Sequence, residues 1–211
     1  MKFKALASTF VLVGTALIAP GAFAIPASPD APTKTIVNLR AAYAGETSAR
    51  AKYAAYALSA DNAGYREVAQ LFRAVCRAEM AHAQNHRLAL ALLGVTDPKA
   101  GTYTGTPGTT KHNLTDALKG ESYERDTMYP LMIQQAKAEG QADAERAMTF
   151  ALSAERQHAV LYTAALKNLN KKPAPEGFYV CPVCGATYTT HNVPAVSPVC
   201  GTPKSQFNLV K

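Results

Sequence analysis

The feature that most constrains this chain is a four-residue pattern that occurs twice, Glu79-x-x-His82 and Glu155-x-x-His158. A spacing of three sets the carboxylate and the imidazole on one face of a helix. A Gly-Glu pair lies upstream of each, Gly45-Glu46 and Gly120-Glu121. Glu46 precedes Glu79 by 33 residues, and Glu121 precedes Glu155 by 34. The sequence thus holds two copies of a half-site. One Glu from each of two helices, with Glu-x-x-His from each of two others, is the ligand set of a carboxylate-bridged di-iron or di-manganese centre in a four-helix bundle. The expected fold is mainly α.

The duplication runs further. Asn38-Leu39 matches Asn113-Leu114 at an offset of 75, as do the Gly-Glu pairs and Arg50 with Arg125. By Tyr53 and Tyr129 the offset is 76, and it stays 76 at both Glu-x-x-His pairs. One residue has been gained between Arg125 and Tyr129. An extra residue inside a helix is often absorbed as a π-bulge, and one is expected there.

Apolar spacing places helices over residues 33–60, 65–93, 112–139 and 141–169, with Pro130 expected to kink the third. The Gly, Thr and Pro-rich stretch 94–111 reads as one long crossover between two hairpins. Residues 35–170 form the bundle, Lys171 to Pro175 a linker, and 177–211 a small module without helical period.

On this reading Glu46, Glu79, Glu121, Glu124 and Glu155 point inward with His82 and His158. So many buried carboxylates repel one another, and two divalent cations would nearly balance them. Mixed oxygen and nitrogen donors suit iron or manganese better than magnesium or calcium. Glu124 breaks the symmetry, because its counterpart in the first repeat is Ala49. Tyr53 and Tyr129 are read either as core aromatics or as hydrogen-bond donors to the carboxylates. Cys76 is read as a small buried hydrophobe.

The C-terminal module carries Cys181-Pro182-Val183-Cys184-Gly185 and Ser197-Pro198-Val199-Cys200-Gly201. Cys-Pro-x-Cys-Gly knuckles present sulfurs tetrahedrally to iron or zinc. Three readings of the fourth position are open: Ser197 oxygen ligates, His191 completes a three-cysteine zinc site, or the site binds weakly or not at all.

Residues 1–24 read as a secretory signal: Lys2 and Lys4, an apolar run from Phe10 to Ala19, and a small-x-small site at Ala22-Phe23-Ala24. The competing reading is an uncleaved anchor, for which the apolar run is short. Residues 25–34 form a tether, and the mature chain is expected outside the cytoplasm, in the periplasm, with no membrane span. An exported protein can oxidise Cys181 and Cys184 to a disulfide, but the knuckle residues argue for metal. The formal charge of +7 falls to about +5 without Lys2 and Lys4 and is scattered, which argues against nucleic-acid binding.

The motifs Gly45-Glu46-Thr47-Ser48-Ala49-Arg50, Glu79-Met80-Ala81-His82, Gly120-Glu121-Ser122-Tyr123-Glu124-Arg125, Met128-Tyr129-Pro130 and Glu155-Arg156-Gln157-His158 resemble those of rubrerythrin in order and spacing. The likeness covers about residues 35–211, and the Ser at 197 departs from the family's Cys. The resemblance implies a ferritin-like bundle with two irons, a rubredoxin-like module with one iron or zinc, and reduction of hydrogen peroxide to water. It implies that Glu79 and Glu155 bridge the irons, that Glu46 and Glu121 are terminal ligands, and that His158 holds one iron. It further implies that Glu124 and His82 exchange on the other iron, and that the protein is a homodimer. The electron donor is not named by the sequence. A ferroxidase or iron-handling role, and a non-enzymatic metal-binding module, are the competing functions.

Overall fold

The structure is a computed structural model that describes residues 33–171, 173 and 177–211. The expected signal peptide (1–24) and nearly all of the tether (25–34) lie outside those residues. Five helical segments build the bundle: α1 (Lys34–Asn62), α2 (Arg66–Leu92), α3 (Thr110–Tyr123), α4 (Tyr129–Ala138) and α5 (Ala142–Asn168). A π-helical turn, Glu124–Met128, joins α3 to α4, so these form the third of four rods. Among the described residues, no helix is long and apolar enough to cross a membrane.

The gained residue is absorbed where the broken repeat placed it. The amide of Tyr129 reaches back to Glu124 O, one residue further than in an α-helix. Pro130 follows in the first turn of α4. A proline that early lacks an amide the helix does not need, so the wide turn accommodates the ring that a regular helix would reject.

The hairpin turns repeat as well. Gly64 and Gly140, again 76 residues apart, both have positive φ (77° and 66°), which closes α1 and α4 in the left-handed conformation. The N-terminus of α1 is capped twice. Thr33 Oγ1 accepts from Ile36 N, and the Glu139 carboxylate, from the turn after α4, accepts from Lys34 N and Thr35 N at 3.2 and 3.0 Å. The crossover lies across α1: Gly101 N donates to Thr47 Oγ1 at 2.7 Å, and a Cβ on Gly101 would strike Ala44 O.

Each rod runs from one apolar core, through a polar layer, into a second core. The first holds Tyr53, Tyr56, Phe72, Leu114 and Tyr162; the second holds Ile36, Leu39, Leu90, Tyr129, Met148 and Leu152. Buried alanines such as Ala42, Ala57, Ala78 and Ala151 let the rods approach closely. Glu46, Glu79, Glu121 and Glu155 occupy the middle, where the cores exclude water from them.

The C-terminal module is a three-stranded antiparallel sheet in the order β2–β1–β3, from β1 (Phe178–Val180), β2 (Thr187–Thr189) and β3 (Asn208–Val210). Phe178 and Val180 join the first bundle core. Asn85 Nδ2 donates to Val183 O at 2.7 Å, and Arg77 donates to Asn208 Oδ1 at 3.2 Å, which docks the module along α2.

Candidate metal centre

The polar layer contains two overlapping groups of ligand atoms, Glu46–Glu79–His82–Glu155 and Glu79–Glu121–Glu155–His158. Within each, the donor atoms lie within 4.8 Å of one another. Glu79 and Glu155 belong to both, so the geometry is that of two cation sites bridged by two carboxylates. Glu46 and His82 complete one site, and Glu121 and His158 the other. All six side chains are buried.

Glu124 stands apart. It is half-buried and belongs to neither group. His82 occupies the site beside which Glu124 lies, with Nδ1 at 2.9 Å from Glu79 Oε2 and 3.7 Å from Glu46 Oε1.

The charge balance of the layer asks for cations. Burial, then repulsion from neighbouring carboxylates, pushes Glu79 and Glu155 well above the ordinary carboxylate range. Burial, then the charges of Glu46, Glu155 and Glu121, does the same to Glu124. Burial also opposes ionisation of Glu46, but hydrogen bonds with His82 and His86 hold it well below its usual value. At Glu121 burial is outweighed by hydrogen bonds with Glu155, His158 and Tyr53, and its value falls. The buried oxygens Glu46 Oε2 and Glu79 Oε1 have no hydrogen-bond partner. Orphaned carboxylate oxygens in a dry core are costly unless a cation takes them, so the residues present fit a pair of divalent ions.

The two tyrosines cross the bundle. Tyr53 on α1 donates to Glu121 Oε1 at 2.5 Å, and Tyr129 on α4 donates to Glu46 Oε1. Burial, then the charge of the carboxylate each one meets, raises both phenols well above their usual value, so both remain donors.

Three further residues reach the bundle centre that the motifs do not assign to it. His86, one turn beyond His82, is buried with Nε2 at 3.0 Å from the Tyr129 hydroxyl. Its spacing of four from His82 was the available signal, although a lone helical histidine is a weak one. Thr187 and Gly185 come from the module. Thr187 Oγ1 lies 3.1 Å from His158 Nε2, and a Cβ on Gly185 would fall 2.2 Å from His82 Nε2. In the sequence Gly185 reads only as part of the first knuckle, and nothing in the local sequence ties either residue to the bundle. Cys76, expected to be buried, is only half-buried, and its thiol donates to Arg50 O at 3.3 Å.

In the module, Cys181, Cys184 and Cys200 place their sulfurs within 4.8 Å of one another. Ser197 is buried, with Oγ at 3.4 Å from Cys184 Sγ. The two knuckles share one backbone pattern. Gly185 N donates to Cys181 O and Cys181 N to Ala186 O; Gly201 N donates to Ser197 O and Ser197 N to Thr202 O. Ser197 therefore stands in its knuckle where Cys181 stands in the other, and Val199 N and Cys200 N donate to its oxygen at 3.3 and 3.4 Å. Hydrogen bonding with Cys184 pulls the Cys181 thiol down to about 5, while Cys184 is pushed up by the same bond and by burial. A thiolate, two further cysteines and a hydroxyl at the fourth corner fit one iron or zinc ion. His191, in the turn after β2, lies outside the sulfur cluster.

Comparison with known proteins agrees with the bundle and with the C-terminal module. The Rubrerythrin family profile matches residues 38–166, and the profile of the rubrerythrin rubredoxin-like domain matches 179–208. Nigerythrin of Nitratidesulfovibrio vulgaris is 36% identical over 82% of this chain and 85% of its own length. Rubrerythrin-2 of Clostridium acetobutylicum is 35% identical over 80% of this chain and 92% of its own. The solved structure of fully reduced, all-ferrous nigerythrin superposes with a TM-score of 0.79 at 32% identity, covering 96% of this chain and all of that one.

Proposed function

The chain belongs to the rubrerythrin family, oxidoreductases built on a di-iron bundle, and on that premise we propose that it reduces hydrogen peroxide to water outside the cytoplasm. The observation that carries this reading is the sharing of Glu79 and Glu155 between two ligand groups. Peroxide takes up two electrons and two protons to give two waters, and a pair of ferrous ions, when bound, would supply both electrons together.

The chain's own residues handle the rest. Glu46 and Glu121 each cap one site, oriented from behind by Tyr129 and Tyr53. Two apolar cores keep bulk water out. Glu124, whose carboxyl is raised above its ordinary range by burial and by its acidic neighbours, is suited to carry a proton and, being half-buried, to exchange it with solvent. That makes it the proton source beside the metal pair.

The C-terminal module would hold one iron or zinc on Cys181, Cys184 and Cys200, with Ser197 Oγ as the fourth donor. As iron it would pass electrons inward; the physiological donor lies outside the cytoplasm, where nicotinamide cofactors are absent, and a haem or quinone-linked protein suits that place. The leader over residues 1–24 supports export, and the likeness to rubrerythrins supports a homodimer.

Stopped-flow oxidation of the fully reduced protein tests the reading. Fast oxidation by hydrogen peroxide and slow oxidation by oxygen is expected; the reverse order, with progressive iron loading, would replace it with a ferroxidase. N-terminal sequencing of protein from the periplasm should begin near Ile25.

A further inference from the structure

The two ligand imidazoles are held differently on the side that faces the module. His158 and Thr187 are both buried. Nδ1 of His158 lies 2.8 Å from Glu155 Oε2 and 3.2 Å from Glu121 Oε2, and its Nε2 lies 3.1 Å from Thr187 Oγ1. The Thr187 hydroxyl donates to Gly185 O at 2.9 Å. A hydroxyl has one hydrogen, and a carbonyl oxygen can only accept. With that hydrogen committed, Thr187 Oγ1 meets Nε2 through a lone pair, so Nε2 must carry the hydrogen of the imidazole. The lone pair of the neutral ring is then on Nδ1, facing the carboxylates.

His82 lacks this device. Its Nε2 is buried without a hydrogen-bond partner and rests against the bare Cα of Gly185. The module walls off one imidazole and latches the other.

We infer that Thr187 is a positioning residue for the metal ligand His158, through which the C-terminal module sets the tautomer and orientation that the bundle needs to bind its metal. The inference rests on the two-metal reading of the bundle. It gives the module a second role, distinct from carrying electrons, because the latch acts whatever metal the cysteines hold. Thr187 is well placed for it: its own N–H donates at 2.8 Å to Gln157 Oε1, the residue before His158, so strand and helix are registered at that point. Partners of this kind around a metal-binding histidine are worth about 10–100-fold in metal affinity.

The test uses the full chain titrated with cobalt(II). Thiolate-to-cobalt charge transfer reports the cysteine site, and the ligand-field bands report the carboxylate–imidazole site. Thr187→Val keeps the shape and removes the hydroxyl, and should weaken bundle binding by about 10–100-fold. Thr187→Ser should restore wild-type affinity. Gln157→Met loosens the same strand without touching the imidazole and should weaken bundle binding by less than Thr187→Val does. In metal-free protein labelled on histidine nitrogen, the His158 Nε2–H signal should be present in wild type and Thr187→Ser and lost or displaced in Thr187→Val. If Thr187→Val does not fold, Thr187→Ala takes its place, and the serine and methionine variants still decide. Wild-type affinity in Thr187→Val overturns the latch. So does an equal loss in Gln157→Met, which would make docking alone responsible. Failure of the wild-type bundle to take up cobalt would instead overturn the metal reading beneath it.

Discussion

The Tyr53 hydroxyl donates to Glu121 Oε1 at 2.5 Å across the bundle, joining the first hairpin to a carboxylate of the second. Tyr129 returns the bond to Glu46. Each half of the duplication therefore orients the other half's terminal carboxylate. A buried hydrogen bond to a charged group contributes about 1.5–3 kcal/mol. Tyr53→Phe should lower the stability of the metal-free protein by about that amount in urea denaturation, with the helical circular dichroism of the native state unchanged.

Glu124 lies beside the metal pair without belonging to either ligand group. Glu124→Ala should leave two metals in the bundle by elemental analysis. It should slow oxidation of the reduced protein by peroxide by about 10²–10⁴-fold, the range for loss of a positioned proton donor. Unchanged turnover would remove Glu124 from the reaction.

Ser197 occupies a knuckle whose backbone hydrogen bonds match those around Cys181. Ser197→Cys should tighten metal binding in the module and, with iron bound, strengthen the visible thiolate-to-iron absorption and move it to longer wavelength. Ser197→Ala, which removes the fourth donor, should release the ion to a chelator faster than wild type. Equal release rates would show that the serine oxygen does not ligate.

Glu139 ties the start of α1 to the end of α4. Although what burial it has works against ionisation, hydrogen bonding with Thr35, and further with Gln135 and Thr33, lowers its carboxyl from 4.5 to about 2. A group depressed in the folded state adds stability where the unfolded chain would also be ionised. That contribution is complete above about 4.5 and is lost as the pH falls toward 2. Glu139→Gln should be less stable than wild type at neutral pH, and the two should converge in acid. Thermal melts from pH 7 to pH 2 would show it.

Much of this was legible in the chain. The ligand layer could be read because its chemistry is local: helical spacing alone sets Glu79 with His82 and Glu155 with His158. The π-turn could be read because a duplication carries its own ruler, and the step from 75 to 76 marks the insertion. Helix ends could be read from Gly64, Gly94 and Gly140. His86 escaped notice because burial, which makes an imidazole consequential, depends on tertiary packing rather than on its neighbours in sequence. Thr187 and Gly185 escaped for a stronger reason. Their partners are on other elements, 29 residues away for Thr187 and His158, and only the docking of the module brings them together.

The wide turn at Glu124–Met128 has a last consequence. One residue subtends about 100° of helix. Shortening that stretch by one would leave Glu121 pointing where it does but rewind everything beyond, swinging Tyr129 off Glu46 and Ala136 out of the core. Glu124 apart, what the stretch cannot surrender is its length rather than its composition. Point substitutions among its exposed residues should pass quietly, whereas a single deletion there should unmake one half of the centre.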